Sequence, residues 1–371
     1  MGKGVWSRLG DVRRSRGITA ADLARRVGVS RQTIHAIEGG SYLPNTEVTL
    51  KLARELEVPV EELFALEPEA SAAPGPVRTE ILATGTLAKG QPVQVVRVGE
   101  RLVSVPVPLA PYFLPEADGI LTAHGRAAGK VELALPEDAA SGRLLVAGCD
   151  PAIGLVAGMV ARLKGAEVVA APASSRQALH WLRAGKIHIA GTHLRDTDSG
   201  EFNLPAVRGE FQDRDATVVT FAEWEEGLVV APGNPKGVDG VASLARQDVR
   251  LINRETGSGS RALLDRRLAE AGVPAAAVQG YERMAEGHLA ASRAVWALEA
   301  EACVATRSAA RAFGLEFIPL ESERYDFVIR RDTLHLPAVQ QFLEVLQKAS
   351  LRRRLEVVAG YDTSKTGAVQ M

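Results

Sequence analysis

The sequence predicts a multidomain chain: an all-α unit, a small β-rich module, and a larger α/β domain on a parallel sheet. Three observations predict it. Residues 1–66 contain short helical patterns with capping residues and a local excess of basic charge. Residues 78–140 contain short β-branched runs broken by Gly and Pro. From 143 onward, strand-like runs alternate with segments of helical length, the pattern of crossover connections in a parallel sheet. A length of 371 residues agrees with two or three domains.

Composition narrows the function. Hydrophobic residues make up 46% and charged residues 24%, enough to build real cores. Lys+Arg (44) and Asp+Glu (45) nearly cancel, so a nucleic-acid surface must be a local patch. Two cysteines, Cys149 and Cys303, are too few for a disulfide framework or a four-ligand zinc site. The opening MGKGVWSRLGDVRRSRG lacks a secretory apolar run, and the chain has no stretch of about 18 apolar residues. The expectation is a cytoplasmic protein without a membrane span.

The amino-terminal unit carries the basic patch. Residues 1–43 hold eight basic side chains against three acidic ones. Thr19 with Asp22, and Ser30 ahead of Arg31, are placed to cap two helices, and Gly28 permits the turn between them. Leu23, Ala24, Val27, Val29, Ile34 and Ile37 would pack those helices together. Arg31, Gln32, Thr33 and His35 would then face outward, where Arg reads guanine and Gln reads adenine in the major groove. The run ADLARRVGVSRQTIHAIEGGSYLPNTEVTLKLARELEVPVEELF resembles the Cro/repressor (XRE) helix-turn-helix family. That resemblance implies base contacts from Arg31, Gln32 and Ala36, with His35 near the groove and Ser41, Tyr42 and Asn45 at phosphates. Double-stranded operator DNA is the implied partner, read by a homodimer.

Beyond Phe64 the text EPEASAAPGPV has no periodicity, so 67–77 reads as a linker. PVQVVRV, RLVSVPV and KVELALP read as strands of the β-rich module. In the α/β domain, RLLVAGCD, EVVAAPA and KIHIAG read as strands, with helices at PAIGLVAGMVARLKG and SSRQALHWLRAG.

Three turns of this domain place hydroxyls or glycines before predicted helices: Cys149-Asp150-Pro151, Ser174-Ser175, and Gly257-Ser258-Gly259-Ser260 ahead of a helix beginning near Arg261. Helix N-termini offer unpaired N–H groups and positive potential, so three such turns, with Arg254 or Arg261 nearby, suggest an oxyanion or carboxylate site. Residues 143–362 resemble the periplasmic-binding-protein-like domain of bacterial regulators, similar to receptors for molybdate and tungstate. The matching runs include AGCDPAIGLVA, HIAGTHLRD, LINRETGSGSRALLD and AGYDTSKTG. The resemblance implies a type II fold of two α/β lobes, 143–228 with 319–362 and 229–318, and a ligand in the cleft between them. Carried over, the ligand residues are Cys149, Asp150, Ser174, Ser175, Thr192, His193, Ser258, Gly259, Ser260 and Arg261. At LEAEACVATRSAA the sequence departs from the family's glycine- and Asp-containing stretch.

Blander roles compete at several of these positions. Cys149 reads first as a small buried residue and second as a redox thiol, and Asp150 as a helix cap. His193 and His288 have no partner at metal-ligand spacing, so no metal site is expected; His180 and His188 carry no further signal. Trp181, Trp224 and Tyr281 read as packing residues. No P-loop, GxSxG elbow or spaced triad is present, so no catalytic residue is assigned. The expected function is a one-component, ligand-responsive transcriptional regulator with no bound cofactor, sensing a small anionic effector, molybdate or tungstate first. The alternatives are an organic-acid receiver, a receiver that is only a scaffold, and an enzyme tethered to DNA.

Overall fold

The computed structural model describes residues 5–66, 75–107, 114–125, 127–211 and 215–371, so residues 67–74 of the predicted linker lie outside the described residues. The chain divides into two compact units, Met1–Gly75 and Pro76–Met371.

The first unit holds helices α1 (Leu9–Ser15), α2 (Ala20–Val27), α3 (Arg31–Glu38), α4 (Thr46–Leu56) and α5 (Val60–Leu63). Strands β1 (Val5–Ser7) and β2 (Phe64–Leu66) pair antiparallel and tie its ends together. Each long helix starts where a side chain takes up a first-turn N–H. Thr19 accepts from Asp22 at 3.1 Å, Ser30 from Thr33 at 3.0 Å and Asn45 from Val48 at 2.9 Å. Gly28 ends α2 with φ 79°, a left-handed conformation that lets the chain reverse into α3. Leu23, Ile34, Ile37, Leu52 and Leu56 close one apolar core between the helices.

The second unit begins with strands β3 (Val77–Ile81), β4 (Pro92–Val98), β5 (Arg101–Pro106), β6 (Gly119–His124) and β7 (Ala128–Leu133), which form a closed barrel. Barrel residues Leu82, Val96, Val98, Val103 and Val105 share one apolar core with Leu145, Val169, Trp181 and Leu182 of the α/β region. Arg143 locks that junction, donating to the Val95 carbonyl at 2.9 Å and pairing with Asp118 at 2.5 Å and Glu167 at 2.8 Å. The β-rich module is therefore built into the second unit with the α/β region.

The α/β region is organised on an eight-stranded sheet. One lobe places β8 (Leu144–Gly148), β9 (Val168–Pro172) and β10 (Ile189–Thr192) in parallel, with α6 (Ile153–Lys164), α7 (Ser175–Arg183) and α8 (Leu204–Glu210). Strand β11 (Ala216–Val230) then leads to the other lobe. There β12 (Leu251–Arg254), β13 (Met284–Ala285) and β14 (Ala302–Thr306) lie parallel with α9 (Gly259–Glu270), α10 (His288–Trp296) and α11 (Arg307–Ala312). Strand β15 (Glu316–Arg330) returns to the first lobe, and α12 (Pro337–Leu346) and α13 (Ala349–Arg354) complete it.

The sheet is mixed, which corrects the expectation of a parallel one. Strands β11 and β15 pair antiparallel over their length, from Ala216↔Arg330 to Val230↔Glu316. A chain that visits a second lobe and comes back must carry one strand out and one home, and their mutual pairing joins the lobes. Helix α9 also starts at Gly259, two residues before the position read from sequence, because Ser258 is its cap.

Candidate functional site

The ends of β8, β10 and β12 and the middles of β11 and β15 converge between the lobes. Ligand sites of open α/β sheets lie at such carboxyl ends of parallel strands. Here the chain buries a polar cluster instead of an apolar core. His193 follows β10 and is 1% exposed. Its Nε2 lies 3.2 Å from Cys149 Sγ and its Nδ1 2.7 Å from Glu323 Oε2. On the other side stands Arg254, 0% exposed. Its Nε and Nη2 donate to the Glu255 carboxylate at 2.9 Å each, and Nη1 donates to Ser260 Oγ at 3.1 Å and His288 Nδ1 at 2.9 Å. The Ser260 hydroxyl in turn donates to Glu226 Oε1 at 2.9 Å. Trp224, Tyr325 and Tyr361 wall the cluster with edge-to-face ring contacts.

Burial and neighbouring charge set the protonation states. Burial, together with repulsion from Glu323, pushes Glu226 up to about 8. Burial also lifts Asp150 to about 7. Contact with Cys149 and Glu323 outweighs burial at His193 and raises it well above the ordinary imidazole value. His288 goes the other way, because burial and the Arg254 charge both oppose a second cation there. Burial lowers His188 to about 4, where its ring Nδ1 accepts from Leu145 N at 3.0 Å. The centre thus holds one charged histidine and one neutral histidine.

The fold brings Cys149, His193 and His288 within 4.8 Å of one another through one atom each, and does the same for His193, Glu226 and Glu323. Sequence spacing gave no sign of either set. The geometry does not suit a cation. Arg254 has only N–H groups to offer, so His288 Nδ1 must accept and Nε2 must carry the ring proton. His193 likewise has both nitrogens engaged.

The lobes meet at glycines. A Cβ on Gly259 would stand 2.5 Å from His193 Cε1 and 2.8 Å from its carbonyl, and one on Gly257 would come 3.6 Å from Ser174 Oγ. Only glycine lets the first turn of α9 seat this closely on the opposite lobe. Two cavities are lined by residues of these segments. One, of about 700 Å³, includes Arg176, His193, Gly257, Ser258, Gly259, Arg261 and Glu323 in its wall. The other, of about 480 Å³, is lined by Cys149, Asp150, Ser174, Glu255, Glu286 and His288 among others.

In the first unit, α3 exposes Arg31, Gln32 and His35, with Thr33 and Ala36 half-buried beside them. Ser41, Tyr42 and Asn45 are exposed just beyond the helix. Two of these side chains already have partners, since Ser41 donates to the Ala36 carbonyl at 3.1 Å and Asn45 caps α4.

Residues 157–347, just over half of the chain, match the PBP superfamily domain. The chain belongs to the PBP superfamily. Residues 7–69 match a helix-turn-helix domain, so the protein joins a helix-turn-helix unit of XRE type to a PBP domain. An uncharacterized protein of Bacillus subtilis, YvgK, is 37% identical over 186 residues, which is 50% of this chain and 59% of that protein. This chain therefore spans less than two thirds of that relative's length. An uncharacterized HTH-type transcriptional regulator of Methanocaldococcus jannaschii, MJ0272, is 46% identical over 50 residues, 14% of this chain and 76% of that protein. The structure of a tungstate ABC transporter from Geobacter sulfurreducens superposes with TM-score 0.43 at 13% identity, covering 59% of this chain and 98% of that one. Among the described residues no helix is long and apolar enough to cross a membrane.

The ten residues read from the sequence, eight of them inside the matched PBP range, fall into three groups. His193, Ser258, Gly259 and Arg261 line the larger cavity, and Cys149, Asp150 and Ser174 line the smaller. Ser175, Thr192 and Ser260 line neither. The Ser175 hydroxyl accepts from His193 N at 3.1 Å, Thr192 donates to Asn203 at 3.3 Å, and Ser260 is held between Arg254 and Glu226. Asp150 accepts from Ala152 N at 2.7 Å and from the Tyr361 hydroxyl at 2.8 Å; it holds the turn ahead of α6, whose N-cap is Ala152, so it does not cap the helix itself. Trp181 and Trp224 are buried, while the Arg261 guanidinium carbon lies 4.1 Å over the Tyr281 ring. Leu298, where the departing stretch begins, takes φ 60° in the turn leading to β14.

Proposed function

We propose that the protein is a ligand-responsive, DNA-binding transcriptional regulator of the cytoplasm, in which a small anion held in the larger cleft cavity of the PBP domain alters DNA binding by the helix-turn-helix unit. The observation that carries the ligand reading is the state of Arg261. Its Nη1 is buried without a hydrogen-bond partner, at the edge of a cavity that also receives the first turn of α9. Exposed Arg176 lines the same cavity and has no ion pair or hydrogen bond among the described residues. A buried donor left empty costs free energy that an anion recovers on binding.

Molybdate or tungstate is the first ligand class, because hydroxyl and N–H donors with the guanidiniums of Arg261 and Arg176 suit a tetrahedral dianion. A second class, the carboxylate of an organic acid, is favoured by size, since about 700 Å³ falls in the range of pockets for organic ligands. The direct test is a thermal-shift panel on the full chain with molybdate, tungstate, sulfate, phosphate and small carboxylates. At roughly a hundred times the dissociation constant an anion should add about 2.7 kcal/mol of stability to the PBP domain. Arg261→Ala should remove most of that shift while leaving the ligand-free melting temperature within a few degrees. A flat panel on folded protein would overturn the anion reading.

The DNA reading rests on the exposed α3 face and is tested separately. Sequences selected from random duplexes by the full chain should share a motif, and dimeric binding should show as half-sites about 34–36 Å apart. Gln32→Ala should cost about 1–3 kcal/mol on the selected sequence and relax preference at one base pair. A substitution that weakens all duplexes equally would place Gln32 at the backbone. An anion can alter this binding only by the difference in its affinity for the two cleft states.

A further inference from the structure

The smaller cavity has a chemistry that anion sensing does not use. Cys149 sits at the turn between β8 and α6, half-buried at the cavity wall. Its Sγ is 3.2 Å from His193 Nε2, and the far nitrogen of that ring is fixed by Glu323 at 2.7 Å. Nucleophile, base and orienting carboxylate stand in line, each from a different strand end or strand, with the last two buried. This is the order of parts by which proteins activate a thiol.

The charges around the sulfur favour the same state. His193 holds its ring proton firmly, which sets a cationic ring 3.2 Å from the sulfur. Buried Arg254 adds positive potential, Tyr325 stays neutral through burial, and Asp150 and Glu226 are both pushed toward their protonated forms. His288 offers a neutral ring N–H, buried and without a hydrogen-bond partner. One of its ring nitrogens lies within 4.8 Å of the partner atoms on Cys149 and His193. Such a donor stabilises negative charge developing near the sulfur.

The cavity selects what can reach it. Its wall is largely small and apolar, including Gly148, Ala171, Ala173 and Ala290; no Lys or Arg lines it, and while Glu255 is paired with Arg254 behind the wall, Glu286 keeps an acidic charge at it. Anionic electrophiles are therefore repelled and uncharged ones admitted.

We propose that Cys149 is a nucleophilic thiolate that adds covalently to small, uncharged α,β-unsaturated carbonyl compounds entering the smaller cavity. The sulfur lone pair forms an S–C bond to the β-carbon. The C=C pair shifts to the α-carbon, which takes the proton from His193 Nε2. No group leaves and no co-reactant is consumed, and elimination reverses the step. His193 and Glu323 also stand in the wall of the larger cavity, but the sulfur opens on the smaller one and the readout, an adduct mass, does not depend on a bound anion.

N-ethylmaleimide on the full chain, followed by intact mass and peptide mapping, is the test. The expected result is a single adduct on Cys149, with buried Cys303 untouched. At about pH 6 the rate should exceed that of glutathione by roughly tenfold or more, because an ordinary thiol is almost wholly protonated there. His193→Gln should bring the rate to the glutathione level and restore the tenfold fall per pH unit of an ordinary thiol, and Glu323→Gln should give an intermediate profile. Circular dichroism and melting of each variant distinguish this from misfolding, and the wild-type rate and pH profile judge the proposal without any variant. A wild-type rate and slope equal to those of glutathione would overturn it, as would unchanged kinetics in folded His193→Gln. Equal reaction with a sulfonate-bearing maleimide would overturn the selection for uncharged electrophiles.

Discussion

Arg254→Met is expected to destabilise the second unit by about 3–5 kcal/mol, a large share of the 5–15 kcal/mol that typically holds a domain folded. The guanidinium is fully buried and all three nitrogens are used: two on Glu255, the third on both Ser260 and His288. Methionine fills much of the volume but leaves the half-buried Glu255 carboxylate facing no cation. It also strips the Ser260 hydroxyl of the donor that orients it toward Glu226. An ion pair replaced whole by apolar groups can be neutral, whereas one broken by removing a single partner leaves an uncompensated charge. Urea unfolding followed by far-UV circular dichroism should show the second unit's transition moved strongly downward. The first unit, with its own core, should unfold as before. Arg254→Lys should fall between, keeping the charge and losing the fork. A loss below about 1 kcal/mol in Arg254→Met would mean that the cluster is held by its apolar walls.

Arg254 and Arg261 also show where sequence reading stops. Both stand by the same Gly-Ser turn, and from sequence either could contribute a cation to an anion site. The fold separates them: Arg254 is enclosed by partners, and Arg261 keeps a donor atom without one. The amino-terminal helices were legible because their determinants are local. Caps at Thr19, Ser30 and Asn45 and the turn at Gly28 act within a few residues. The alternation of strands and helices was legible for the same reason. The buried cluster was not, because its parts lie far apart in the chain, from Cys149 to Tyr361, and meet only where β11 and β15 pair. Within β11 the text WEEG, and within β15 the text ESERYD, put charged residues beside an aromatic, a composition that by itself does not point to burial. In the structure Glu226 and Glu323 face inward at 0% and 4% exposure. A carboxylate in the middle of a long strand that crosses between lobes was the available signal. It acquires meaning only once both strands are known to be central.

The pH dependence of stability gives a second large effect. Glu226→Gln is expected to leave the second unit near wild-type stability at about pH 5 and to make it clearly more stable at about pH 9. Glu226 accepts one hydrogen bond, from Ser260 at 2.9 Å, and its other oxygen is buried without a partner. Burial and the nearby Glu323 raise its folded-state value from 4.5 to about 8. Between those values the folded protein keeps a proton that the unfolded chain releases, so unfolding is increasingly favoured as pH rises. Stability from this group is complete below about 4.5, declines by up to about 1.4 kcal/mol per pH unit through the window, and levels off above about 8. Asp150, raised to about 7, and His193, also raised, tilt the alkaline limb the same way. His188, lowered to about 4, acts in reverse, losing its contribution as pH falls from 6.5. Glutamine preserves the carbonyl that Ser260 donates to and has no proton to lose, so the variant-minus-wild-type difference isolates Glu226 from its neighbours. It should grow with pH by an order of several kcal/mol across the window and then stop growing. Urea midpoints at about pH 5, 7 and 9 measure it. A difference that stays the same at all three would mean that Glu226 is ionised throughout, with Arg254 and His193 together compensating its charge.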